Sequence, residues 1–135
     1  MPSITAPLFL LSLLYLAVVA PACSGQASSE SPGASPTATM NAYYDALKRK
    51  DVDAVKRTLA DGYLKMLESA GVGAERAFQA MMEHLPAARP ATRNEKIDGD
   101  RATLEVRDED KGRWEAVAFV KEGGAWKIAL EQPED

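Results

Sequence analysis

At Pro90 the hydrophobic period of the chain changes from about 3.6 residues to 2, so its elements must be helices first and strands afterwards. Before that point, Met40, Tyr43, Tyr44 and Leu47 stand at i, i+3, i+4 and i+7, the stripe of an amphipathic helix, with Thr37 or Thr39 as its N-cap. Asp51 is placed to cap a second helix whose Val52, Val55 and Leu59 share a face, and Asp61 with Gly62 is expected to stop it. Tyr63, Leu64, Met66 and Leu67 read as a brief helical continuation, broken by Gly71 and Gly73. Ala77, Phe78, Met81, Met82 and Leu85 then share a face until Pro86 ends the pattern. Beyond Pro90, Ala102, Leu104 and Val106 alternate with Thr103, Glu105 and Arg107, and the turn at Asp98, Gly99 and Asp100 joins this strand to one containing Ile97. Trp114 to Lys121 and Ala125 to Glu131 read as a hairpin around Gly123 and Gly124. In that register Phe119 faces Ile128, Val117 faces Leu130 and Lys121 faces Trp126. The expected class is α+β, with N-terminal helices packed on an antiparallel sheet of about four strands.

The first part of the chain does not belong to this pattern. No charged side chain precedes Glu30, and Leu8 to Val19 is an apolar run that ends in Ala20, Pro21, Ala22 and the sole cysteine, Cys23. Such a run followed by small residues has the pattern of an export signal. Ala20 to Cys23 resembles a bacterial lipobox, in which cleavage leaves Cys23 as the lipidated first residue. It departs from that pattern at Ala20 and Pro21 and has no Lys or Arg ahead of the run. Ordinary cleavage after Ala22 and an uncut segment long enough to span a bilayer are the competing readings. From Ser24 to Thr39 the chain is Ser, Gly, Ala, Pro and Thr with Gln26 and the single charge of Glu30, a composition that cannot bury enough apolar surface to repay its ordering. The expected organisation is a signal over 1–22, a lipidated cysteine and flexible tether over 23–39, and one domain over 40–132. The tether would hold that domain about 20 to 25 Å from the membrane. Export and anchoring on the extracytoplasmic side follow, at the outer membrane where a cell has two, because Ser24 rather than Asp follows the cysteine.

Charge and residue usage narrow the chemistry. A chain of 135 residues with a formal charge of -4 and no basic stripe is not built for nucleic acid. Lys48, Arg49 and Lys50 read as cations at a helix C-terminus, complementing its dipole. One cysteine and one histidine, His84, support neither a disulfide nor a Cys/His metal site, and no cofactor is expected. The second face of the hairpin, with Trp114, Ala116, Ala118 and Val120, is less polar than a solvent-facing sheet. Either small alanines and a folded-over Trp114 account for it, or it is a homodimer or partner surface.

The run Asn41, Ala42, Tyr43, Tyr44, Asp45, Ala46, Leu47, Lys48, followed by Asp51, Val52, Asp53, Ala54 and Val55, resembles the opening of small bacterial lipoproteins of the nuclear-transport-factor-2-like superfamily. The ending from Phe119 through Trp126 to Ile128 is similar to their last hairpin. The resemblance covers about 40–130 and implies a curved sheet cupping the helices in a cone. It also brings in enzymes, isomerases and dehydratases, that use an Asp or His as base inside the cone. Asp45, His84, Tyr43 and Tyr44 are the candidates here, with Phe78, Met82, Trp114, Phe119 and Trp126 as further cone-facing or partner-facing residues. Asp45 lies off the apolar stripe and His84 at a helix end, and no nucleophile relay or phosphate loop accompanies them. The expected function is a membrane-tethered, non-catalytic binding or accessory module of the cell envelope, contacting a small apolar ligand or another envelope protein. The alternatives are a small cone enzyme using general acid–base chemistry and a structural envelope component.

Overall fold

A computed structural model describes residues 30–71 and 73–130. The expected export signal, Cys23 and the expected tether up to Ser29 lie outside the described residues, as do residues 131–132 at the expected end of the domain. Four helices precede four strands: α1 (Pro36–Lys48), α2 (Val52–Thr58), α3 (Asp61–Ser69), α4 (Ala74–Glu83), β1 (Thr92–Asp98), β2 (Arg101–Asp108), β3 (Arg113–Glu122) and β4 (Ala125–Ile128). The strands form one antiparallel sheet in the order β1-β2-β3-β4. The helices pack on one face of this sheet, giving the expected α+β class. Among the described residues no helix is long and apolar enough to cross a membrane.

The first helix begins four residues ahead of Met40. Ser35, not Thr37 or Thr39, is its N-cap: the Ser35 hydroxyl accepts from the Ala38 N–H at 3.0 Å, and Pro36 occupies the first turn, where its missing N–H costs nothing. Polar composition concealed this start, because Pro36, Ala38 and Thr39 are all buried. The Thr39 hydroxyl donates across to the Trp126 carbonyl at 2.9 Å, tying α1 to β4. Glu95 reaches over from β1 and accepts from the Thr37 N–H at 2.9 Å, which places a carboxylate at the positive end of the helix.

Asp51 caps α2 as expected, accepting from the Ala54 N–H at 2.9 Å. Asp61 and Gly62, however, open α3 instead of closing α2. The break comes at Leu59 and Ala60, which turn to extended dihedrals. Leu59 makes a parallel bridge to Ile128, and the Ala60 N–H donates to the Ile128 carbonyl at 2.8 Å. Satisfying the free edge of β4 thus ends the helix, and nothing within residues 59–62 records that tertiary pairing.

The β3–β4 hairpin has the expected register at Phe119–Ile128 and Lys121–Trp126, and Gly123 and Gly124 both take positive φ (58° and 80°), as its two-residue turn requires. β4 stops at Ile128, so the expected Val117–Leu130 pair is not part of the ladder, although the Ala129 N–H still donates to the Ala118 carbonyl at 2.9 Å. The core is contributed by Met40, Leu47, Val55, Leu59 and Phe78 from the helical half and by Leu104, Phe119, Trp126 and Ile128 from the sheet. Phe78 is 0 % exposed at its centre.

Candidate functional site

The helices fill the space over the sheet's packed face. Phe78, Phe119 and Trp126 are buried core, and Met82 packs against that core. Tyr44 is buried and its hydroxyl donates to the Pro86 carbonyl. The Tyr43 hydroxyl bonds the Met81 sulfur at 3.2 Å, and burial, with Tyr63 nearby, pushes it up to about 12. A phenol held neutral this firmly is a poor proton carrier at ordinary pH. His84 is exposed as the C-cap residue of α4, its Nδ1 3.2 Å from the Ala80 carbonyl of its own helix. Trp114 stands on the outer sheet face with the Arg93 guanidinium 4.0 Å above its ring and Arg107 at 5.7 Å. Cation–π stacking of this kind covers the apolar ring. The expected candidates therefore do not converge on one site.

Of the residues singled out in the sequence, Asp45 and Trp126 share a cavity. A cleft of about 530 Å³ opens on the outer side of α1, between that helix, α2, the start of β4 and the incoming segment at Glu30, Pro32 and Gly33. Trp126 forms part of its inner wall, Thr39 and Thr58 contribute to its lining, and Asp45, Arg49, Arg57, Arg89 and Lys127 supply its charge together with Glu30. Gly33 brings the incoming segment close. Its φ is +88°, its carbonyl accepts from the Trp126 N–H at 2.9 Å, and a Cβ there would lie 2.8 Å from that of Ala125.

Asp45 projects from the side of α1 that does not face the core, and Arg89 in the segment before β1 meets it with both arms of its fork. Nε donates to Oδ1 at 2.9 Å and Nη2 to Oδ2. The carboxylate in turn raises the Arg89 guanidinium above its usual range. This bidentate pairing sets the plane of the carboxylate, while the Asp45 side chain keeps 33 % exposure. Arg49, the C-cap residue of α1, and Arg57, in the last turn of α2, line the same cleft, and neither guanidinium has a hydrogen-bond or ion-pair partner among the described residues. The Lys127 ammonium donates to the Arg57 carbonyl, which keeps its charge beside α2.

A smaller cavity, about 260 Å³, lies between Pro86, Pro90 and the β2–β3 hairpin, with Asp108, Glu109, Asp110 and Glu115 on its rim. Two of these carboxylates are already engaged: Lys111 lies 3.1 Å from Asp108 and 3.0 Å from Glu115. The Lys111 backbone N–H, and after it the ammonium, hold the Asp108 carboxyl below its usual range, and Lys111 with Arg113 does the same for Glu115. The cleft around Asp45 is the one of the two that retains guanidiniums without an acidic partner among the described residues.

Sequence reasoning named Asp45 and missed Arg49, Arg57, Arg89 and Lys127 as its neighbours. Arg49 was visible only as a helix-end cation. Arg89 and Lys127 stand far from Asp45 along the chain, and no local spacing announces that the fold gathers them.

No family model matches the chain, and no curated protein matches it. Among solved structures, a Campylobacter jejuni protein named as a candidate NTF2-like transpeptidase is similar, with 13 % identity, a TM-score of 0.42, and coverage of 66 % of this chain and 92 % of that one. The similar structure bears an enzyme's name, so the expectation of a non-catalytic module is withdrawn; at this likeness the match assigns no reaction to the chain.

Proposed function

We propose that the protein is exported and held at the extracytoplasmic membrane surface through a lipid on Cys23, and that its domain is a small enzyme using general acid–base chemistry in the cleft around Asp45. The observation that carries the catalytic reading is the company Asp45 keeps: a carboxylate oriented by a bidentate Arg89, in a cavity that also holds two unpaired guanidiniums. In the step this arrangement suits, the Asp45 carboxylate takes a proton from an acidified C–H or O–H of the substrate. The electron pair left behind collects on a substrate oxygen, which the positive field of the cleft stabilises. Returning the proton to another position gives isomerisation, and expelling a β-hydroxyl as water gives dehydration. The filled cone supports the same choice of site, because Phe78 and Trp126 occupy the interior where a cone base would have to work.

The test is proton exchange, which needs no knowledge of the product. The full chain is incubated in D2O with a panel of carbonyl and 2-hydroxy acids, and loss of substrate C–H signal is followed by NMR. Exchange that falls at least 100-fold in Asp45→Asn is the expected result. Exchange at the same rate with wild type and Asp45→Asn across the panel rejects Asp45 as the base.

A further inference from the structure

We propose that the cleft between α1, α2 and the start of β4 binds a phosphate group, held by Arg49 and Arg57 with Lys127 beside them. The inference rests on reading the same cleft as the working site and names the chemistry of what enters it. The protein as a whole is acidic, with a formal charge of -4, yet the cleft is lined by Arg49, Arg57, Arg89 and Lys127 against only Glu30 and Asp45. Arg89 is committed to Asp45, so the cations left over are those of Arg49, Arg57 and Lys127. Glu30, at the cleft's edge, accepts from the Ser35 hydroxyl at 3.1 Å.

Two guanidinium forks and an ammonium offer more donors than the two oxygens of a carboxylate can use. They match a phosphate monoester, with three terminal oxygens and a charge of about -1.5 to -2. The burial of Trp126 and the cap of the incoming segment over β4 give the cleft a firm inner wall and a definite rim. The phosphate has two potential sources, a soluble phosphorylated compound or a lipid headgroup. Glu30 lies seven residues after Cys23, a chain length that reaches at most about 25 Å, so headgroups are within range of a domain anchored there.

The experiment uses the full chain in detergent, carrying Trp114→Phe so that Trp126 is the remaining tryptophan and reports on the cleft wall. Inorganic phosphate is titrated at constant ionic strength, with acetate and chloride as controls, and mixed micelles of phosphatidic acid, a lipid phosphate monoester, or of phosphatidylcholine form the second arm. A saturable change in Trp126 emission with phosphate, weakened at least tenfold in Arg49→Ala/Arg57→Ala, supports a soluble phosphorylated ligand. The same pattern with phosphatidic acid, absent with inorganic phosphate, supports the headgroup. Thermal melting establishes that the double variant is folded, and Arg49→Lys/Arg57→Lys, which keeps charge but loses the forks, should weaken binding by a smaller factor. No saturable response in either arm, a response equal with acetate, or an unchanged response in both double variants overturns the proposal. Phosphate binding is read from Trp126 emission and proton exchange from the NMR signal, so failure of the phosphate site and failure of the catalytic reading are seen separately.

Discussion

Tyr43 illustrates what a residue's identity does and does not reveal. Its place on the α1 stripe was legible from spacing, but its phenol is locked against Met81 and the rest of the core and lines neither of the two cavities described. The consequence is a pH dependence with a definite sign. The unfolded chain ionises this phenol near pH 10, whereas the folded protein holds its proton up to about 12. Below pH 10 both states are neutral at this position and stability is unaffected. Between about 10 and 12 the unfolded state loses the proton first, so stability falls as pH rises, by about 2 to 3 kcal/mol in all. Urea denaturation at pH 9 and pH 12 should therefore give a smaller loss in Tyr43→Phe than in wild type. An equal loss in the two proteins would mean that the phenol is solvated in the native state. Asp45 is the opposite case: its position off the apolar stripe correctly read as non-core, but the pairing with Arg89 that makes it interesting spans 44 positions and leaves no local trace.

Among the elements, α1 shows where sequence reasoning stops and why. Its apolar stripe was plain, yet its first turn was hidden inside a Ser, Pro and Thr composition that reads as tether. What orders that turn is the Ser35 cap, the Glu95 carboxylate from β1 and the Thr39 bond to β4, two of which come from the far end of the chain. Ser35→Ala should cost about 1 kcal/mol, within the ordinary range for losing such a cap, measurable as a lower denaturation midpoint with unchanged slope. Gly33→Ala should do more harm just upstream. It combines an unfavourable positive φ with a Cβ that has no space against Ala125, and it disturbs the contact between the incoming segment and β4. If Gly33→Ala is as stable as wild type, the segment does not dock on β4 in solution, and the rim of the cleft is not built as described. The strands were read more accurately than the helices because the alternation in β2 and the two glycines of the last turn are local signals. The end of α2, set by Leu59 and Ala60 pairing with Ile128, is not one.

For the whole molecule, the filled interior and the outer cleft together decide where function resides. A core whose centre is occupied by Phe78 uses the helices as packing, so Phe78→Ala should lose about 3 to 5 kcal/mol through transfer and cavity terms, and the resulting void is a defect, not a binding site. The cleft instead borders Glu30, Pro32 and Gly33, the residues through which any anchor at Cys23 would act. Anchoring would place the cleft on a short leash from the membrane, and its chemistry then depends on which of the three readings of Leu8 to Cys23 is correct. They separate in one experiment that feeds labelled fatty acid and fractionates the cells. A lipidated Cys23 predicts label on the wild-type protein in the membrane fraction and none on Cys23→Ala. Ordinary cleavage after Ala22 predicts an unlabelled soluble protein for both, and an uncut segment predicts an unlabelled membrane protein for both. Label that persists on Cys23→Ala would refute acylation at this cysteine, and with it the short leash that brings headgroups within reach of Arg49 and Arg57.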